Sequence, residues 1–200
     1  MALPALKYDD LYTYADYVTW PHVERWELIE GFPYNMSPAP TRRHQDLSGE
    51  FFKQIAVFLD DKPCKVYSAP FDVRLLPEAS PEELRAADDD HITTVVQPDI
   101  SVICDHEKLD ERGCLGAPDI IIEILSPSTA AKDQIQKVAL YEQCGVKEYW
   151  IVHPTDKTVT VRLLDEQGRY GIPAIYEGKG TLAMQMLAGL DIDVDRVFRE

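Results

Sequence analysis

The chain has 200 residues, 45% hydrophobic and 28% charged, enough for one domain with a core of its own and without a disulfide or metal staple. Its 35 acidic and 20 basic residues give a net charge of −15, which repels polyanions and excludes the usual basic-patch route to nucleic acid. Any nucleic-acid role must therefore be local, resting on a bound cation or a few placed Lys and Arg side chains.

In chain order, residues 8–18 read as a short helix ahead of Pro21, and RWELIEGFPYNMSP alternates about Gly31 as a hairpin. The stretch TRRHQDLSGEFFKQIAVFLDD sets Leu47, Phe51, Ile55, Phe58 and Leu59 on one stripe and predicts an amphipathic helix. CKVYSAPFDVRLL is strand-like and stops at Pro77. Residues 77–94 are acidic and polar with two prolines, which predicts an exposed, mobile insertion. Within it, Asp88, Asp89, Asp90 and His91 read as a solvated charge run rather than as metal ligands.

VVQPDISVICD reads as a strand, and GAPDIIIEILSP as a central strand covered on both faces. A helix over 130–144 follows, capped by Ser128 or Thr129 and stopped by Gly145. VKEYWIVHP and TVTVRLLD supply two further strands, and residues 191–200 a terminal helix or turn. This order predicts an α/β fold with a single central mixed β-sheet flanked by helices, in one domain over 1–200. Cys64, Cys104, Cys114 and Cys144 are scattered without a C-x-x-C pair and read as reduced thiols. No apolar run spans a membrane and the first residues do not form a secretory signal, so the expected compartment is the cytoplasm.

One acid stands out. Glu123 lies among Ile120, Ile121, Ile122, Ile124 and Leu125, where an ionised carboxylate costs several kcal/mol unless paired or coordinated. Asp99 sits in similarly apolar text beside Ile100, Val102 and Ile103, and on a neighbouring strand the two would project to one spot. Two such carboxylates repel unless one is protonated or a cation lies between them. Mg²⁺, with Mn²⁺ as a substitute, suits that demand because it is hard and is held by one or two carboxylates. Alternatively, Glu123 pairs with a Lys or Arg, or lies at a wet strand edge. On the following helix Asp133, Lys137 and Tyr141 are spaced by four and share a face. Lys137 is then either a surface partner of Asp133, worth about 0.3 to 0.5 kcal/mol, or a cation aimed at the acid pair.

The QPD at 97–99 and the EIL at 123–125 resemble the acidic motif of the PD-(D/E)xK nuclease superfamily. More narrowly, PDIIIEILSPSTAAKDQIQKVALYEQCGVKEYWIVHP, with ERWELIEG and MSPAPTRRHQ upstream, resembles a bacterial family of uncharacterised proteins assigned as restriction endonucleases, over residues 24–198. That resemblance implies a restriction-endonuclease-like core, with Asp99 and Glu123 as metal ligands and Glu123 able to handle a proton. The superfamily lysine normally stands two residues after the Glu, where this chain has Leu125, so the basic role would move to Lys137, with Tyr141 beside it. Asp133 is a further neighbour on that face. Glu27 would be a third metal ligand, or else a solvent-facing hairpin acid opposite Trp26 and Leu28. His44, in the first turn of the long helix, would touch a phosphate or water. His153 stands where the family usually has Asp, and has no role assigned.

The expected function is thus a Mg²⁺-dependent nuclease hydrolysing DNA phosphodiester bonds, away from any membrane, with a homodimer able to present two sites. The alternative is a catalytically inactive nuclease-fold binding protein, favoured by the acidic charge and the missing strand lysine. A carboxylate-pair glycosidase is a weaker third, because Trp20, Trp26 and Trp150 do not cluster in the sequence.

Overall fold

The structure is a computed structural model that describes residues 10–21, 24–36, 39–77, 79–126 and 130–199, with all their side chains except those of 81 and 130–134. A four-residue helix, α1 (Tyr14–Tyr17), is the described part of the first predicted helix. The strands β1 (Trp26–Ile29) and β2 (Phe32–Asn35) form the expected hairpin, and Glu30 and Gly31, at φ of 52° and 81°, supply its left-handed turn. The long helix α2 (Arg42–Leu59) begins at Thr41, whose hydroxyl accepts from the His44 amide, and it buries Leu47, Phe51, Ile55 and Leu59 along one stripe.

Two stretches that read as single strands each divide between two sheets. CKVYSAPFDVRLL splits into β3 (Lys65–Ser68) and β4 (Val73–Leu75), and VVQPDISVICD into β5 (Thr94–Val96) and β6 (Ile100–Ile103). Pro70 and Pro98 stand at the breaks, where a residue without an N–H cannot continue a ladder. With β7 (Leu109–Asp110) and β8 (Gly113–Leu115), the first sheet has the order β2-β1-β5-β4-β8-β7. With β9 (Ile120–Ile124), β10 (Glu148–His153), β11 (Thr158–Leu163) and β12 (Ala174–Glu177), the second has the order β12-β11-β10-β9-β6-β3. Each sheet is mixed, with one parallel pair, β4 with β8 and β9 with β10. The expected single sheet is therefore corrected to two six-stranded sheets and a separate two-stranded one, while the α/β class with mixed sheets and flanking helices holds.

Residues 77–94 are more than an exposed insertion. Their short helix α3 (Pro81–Ala86) is capped by Ser80, but Ile92 is buried with Tyr14, Trp20 and Val95. Asp88 and Asp89 pair at the surface with His91 and Arg112, as a solvated charge run does.

Helix α4 (Ala130–Cys144) connects β9 to β10 as the crossover that a parallel pair requires, and Gly145 at φ 85° ends it. Its expected caps, Ser128 and Thr129, lie outside the described residues. Strand β9 lies between β6 and β10 and serves two cores. Ile120, Ile122 and Ile124 meet the α2 stripe, Trp150 and Val152, over which the hairpin β13 (Thr181–Ala183) and β14 (Asp191–Asp193) and the short helix α5 (Val194–Val197) also pack. Ile121 faces the other core, with Leu140 and Tyr141 of α4 and with Ile29, Val73 and Val96 of the first sheet. One step beyond the β3–β6 register, Cys64 and Cys104 form a disulfide, so the expectation of reduced thiols is corrected for that pair. Cys114 and Cys144 are free, and burial pushes both thiols up to about 12. Among the described residues, no helix is long and apolar enough to cross a membrane.

Candidate active site

Trp26 and Leu28 of β1 enter a small core with Tyr14 and Trp20, so alternation turns Glu27 to the opposite side with Ile29. That side is the space between the sheets, not solvent, and Glu27 is only 5% exposed. The reading of Glu27 as a solvent-facing hairpin acid is thereby corrected. Its Oε1 accepts from the Gln97 amide at 2.9 Å and from Lys137 Nζ at 3.0 Å. Lys137 Nζ also donates to Glu123 Oε1 at 2.9 Å, and Tyr141 OH donates to the same oxygen at 2.9 Å. The four-residue spacing on α4 brings both donors to one strand side chain. Lys137 is thus a buried bridge between two carboxylates and not a surface cation. The Asp133 side chain lies outside the described residues.

Ile100 pairs with Ile122 in the antiparallel β6–β9 ladder, so one step further Asp99 lies opposite Glu123. Asp99 Oδ2 accepts from the Ile124 amide at 2.7 Å, closing the strand end, and meets His44 Nε2 at 3.2 Å. The Thr41 cap sets His44 in the first turn of α2, where its buried Nδ1 has no partner among the described residues. Beside them opens a hollow of about 170 Å³ lined by Arg25, His44, Ser48, Phe52 and Asp99.

Burial above all pushes the Glu123 carboxyl up to about 7; Lys137 opposes this, while Asp99 and Glu27 add to it. Burial works against the Lys137 ammonium, yet Glu123 and Glu27 carry it well above the ordinary lysine value. For His44, burial lowers and the Asp99 hydrogen bond and charge raise, and the net direction is upward. Three acids, Glu27, Asp99 and Glu123, thus face two bases, Lys137 and His44.

The structure therefore brings together Asp99, Glu123, Lys137, Glu27, Tyr141 and His44. His153 lies elsewhere, at the end of β10, with Nε2 3.5 Å from Thr160 Oγ1. Sequence reading missed the part of Gln97, whose side chain takes Arg25 Nε at 2.9 Å while its amide holds Glu27. It also passed over Glu148, a fully buried strand acid whose oxygens take Trp150 Nε1 and the Gln185 and Met186 amides.

Comparison with known proteins gives three findings. The model of the Uma2 family, described as "Putative restriction endonuclease", matches residues 14–195. An uncharacterised protein of Synechocystis sp., slr1290, is 22% identical over 187 residues, covering 92% of this chain and 90% of its own length. A crystal structure from Anabaena variabilis, described as "a putative nuclease belonging to DUF820", has a TM-score of 0.70 at 20% identity, covering 93% of this chain and 97% of that one. At that identity the last likeness shows a shared fold. Because the family match runs from α1 past β14 and takes in all six clustered residues, the chain belongs to the Uma2 family of restriction-endonuclease-like proteins.

Proposed function

We propose that this protein is a metal-dependent nuclease that hydrolyses DNA phosphodiester bonds at Asp99, Glu123 and Lys137. One observation carries the reading: Lys137 is buried between Glu27 and Glu123 at the end of the central strand, beside Asp99. Well-packed apolar residues commonly replace a buried ion cluster at no loss of stability, so stability alone does not account for this one. The family match and the nuclease fold support the same chemistry.

The donor set fits Mg²⁺ or Mn²⁺. Both contacts on Glu123 fall on Oε1 and both on Asp99 fall on Oδ2, leaving one oxygen of each acid without a hydrogen bond from the described residues. Among those residues there is no metal-type group of three or more His, Cys, Asp or Glu, so the ion would take two carboxylates and complete its shell with water and phosphate, as Mg²⁺ commonly does. Glu27, engaged by Lys137 and Gln97, serves as counter-ion to Lys137 rather than as a ligand. When bound, the ion supplies charge withdrawal from a phosphate oxygen and a lowered pKa for water.

The chain's own groups do the rest. Glu123 accepts a proton from the attacking water. Lys137 spends two of its three N–H donors on Glu27 and Glu123 and offers the third to the charge that develops on the phosphate. Tyr141 holds Glu123 in place, and His44 holds Asp99. A second copy of the chain would let two such sites address two strands.

A second reading, an inactive nuclease-fold binding protein, is favoured by one observation: Leu125 replaces the strand lysine, and Lys137 is already neutralised by carboxylates. Supercoiled plasmid incubated with Mg²⁺ separates the two. Nicking by the wild type that vanishes in Asp99→Ala, Glu123→Ala and Lys137→Met fits the nuclease; an unaltered plasmid favours the binding protein. Calorimetry with Mn²⁺ tests the ion, with heat expected for the wild type and Lys137→Met but not for Asp99→Ala or Glu123→Ala. Equal heats in all four would remove the metal from the reading.

A further inference from the structure

Gln97 faces two ways. Its backbone amide holds Glu27 at the acid cluster, and its nearly buried side chain borders a cleft of about 760 Å³. Aromatic rings line this cleft, among them Tyr17, Trp20, Trp26 and a parallel pair, Tyr67 and Phe71, with centroids 4.2 Å apart at 6°. The volume falls within the range of small-molecule sites. The polar groups converge as well: Gln97 Nε2 donates to Asp72 Oδ1 at 2.8 Å and to Tyr17 OH at 3.1 Å. Arg25 borders both this cleft and the hollow beside Asp99 and His44.

We propose that the cleft is a nucleobase subsite, taking an unpaired base from a single-stranded or locally opened DNA strand whose phosphate rests on Arg25 beside Asp99. The identity of the ligand rests on the nuclease reading. Three observations favour a base over the backbone. The cleft's rim carries Glu24, Asp72, Asp110 and Glu111 against Arg25 and Arg112, which repels phosphate but not an uncharged ring. Gln97 and Tyr17 both donate to Asp72 Oδ1, which fixes that carboxylate and leaves its Oδ2 without a hydrogen bond from the described residues, an acceptor of the kind that reads a base edge. A chain of net charge −15 gains little from a general phosphate field, so stacking must supply affinity; one stacked base is worth about 5- to 150-fold. A base within a duplex cannot enter such a cleft, so the strand must be open at this point.

The test is binding in EDTA, where no cutting occurs, to a short labelled oligodeoxynucleotide and to an abasic strand with the same phosphates. The base-bearing strand is expected to bind about tenfold tighter or better and to quench tryptophan emission. Trp20 and Trp26 line the cleft, whereas Trp150 is fully buried in the other core, so quenching reports the cleft. Phe71→Leu, which stays apolar but loses the stack, should erase most of the preference, with folding checked by circular dichroism. If that variant unfolds, Tyr67→Leu probes the same stack. Arg25→Gln should weaken both strands alike. Equal affinity for the two strands, or a preference that survives loss of the stack, overturns the proposal. Base preference without plasmid nicking would keep the cleft and remove the nuclease, whereas nicking without base preference would do the reverse.

Discussion

At the scale of single residues, the partners of Glu148, Asp119 and Glu123 distinguish three acids that all sit at or beside apolar strands. Glu148 is saturated by one indole and two backbone amides, and Asp119 by Lys147 and the Cys104 amide. Glu123 instead shares one ammonium with Glu27 and faces Asp99 across the strand gap. Its carboxyl, raised to about 7 from the usual 4.5, keeps a proton in the folded chain that the unfolded chain has already lost. That contribution to stability is complete below about pH 4.5 and disappears as pH rises through about 7. In metal-free buffer, therefore, the wild-type melting temperature should fall between about pH 5 and about pH 8 more steeply than that of Glu123→Gln; parallel curves would refute this. Lys137→Met leaves two buried carboxylates without their cation, and such a loss costs about 3 to 5 kcal/mol. Urea unfolding should show that loss, with part of it recovered when Mg²⁺ is added.

At the scale of elements, legibility follows the range of the interactions. Helix α2 and the hairpin about Gly31 were readable because their periods and turn residues are local. The breaks at Pro70 and Pro98 were visible as prolines, yet nothing local says that the two halves enter different sheets. The Cys64–Cys104 pair was missed for the same reason, since only the β3–β6 register sets the two residues opposite each other. At a sequence separation of 40, the link removes about 4 kcal/mol of loop entropy from the unfolded chain on the chain-entropy account. Adding a reductant should lower the urea midpoint accordingly, and Cys64→Ser should show the same midpoint with or without reductant.

At the scale of the whole molecule, the charge of −15 leaves Arg25 and Lys137 as the cations that would meet a strand under the proposed function. Two phosphate contacts predict a slope of about −1.4 in the logarithm of single-strand affinity against the logarithm of salt. Titrations across salt would measure it, and a slope several times steeper would point to a basic surface elsewhere. The sequence by itself determined the α/β class, the long helix, the central strand and the need of Glu123 for a partner, because hydrophobic period and the cost of an acid in apolar text are local properties. The tertiary structure alone decided that Glu27 turns inward, that Lys137 leaves the surface to bridge two acids, and that a cleft opens beside Gln97. Each of these depends on a second sheet packing against the first, and the contacts that choose such a packing lie 70 and 110 residues apart along the chain.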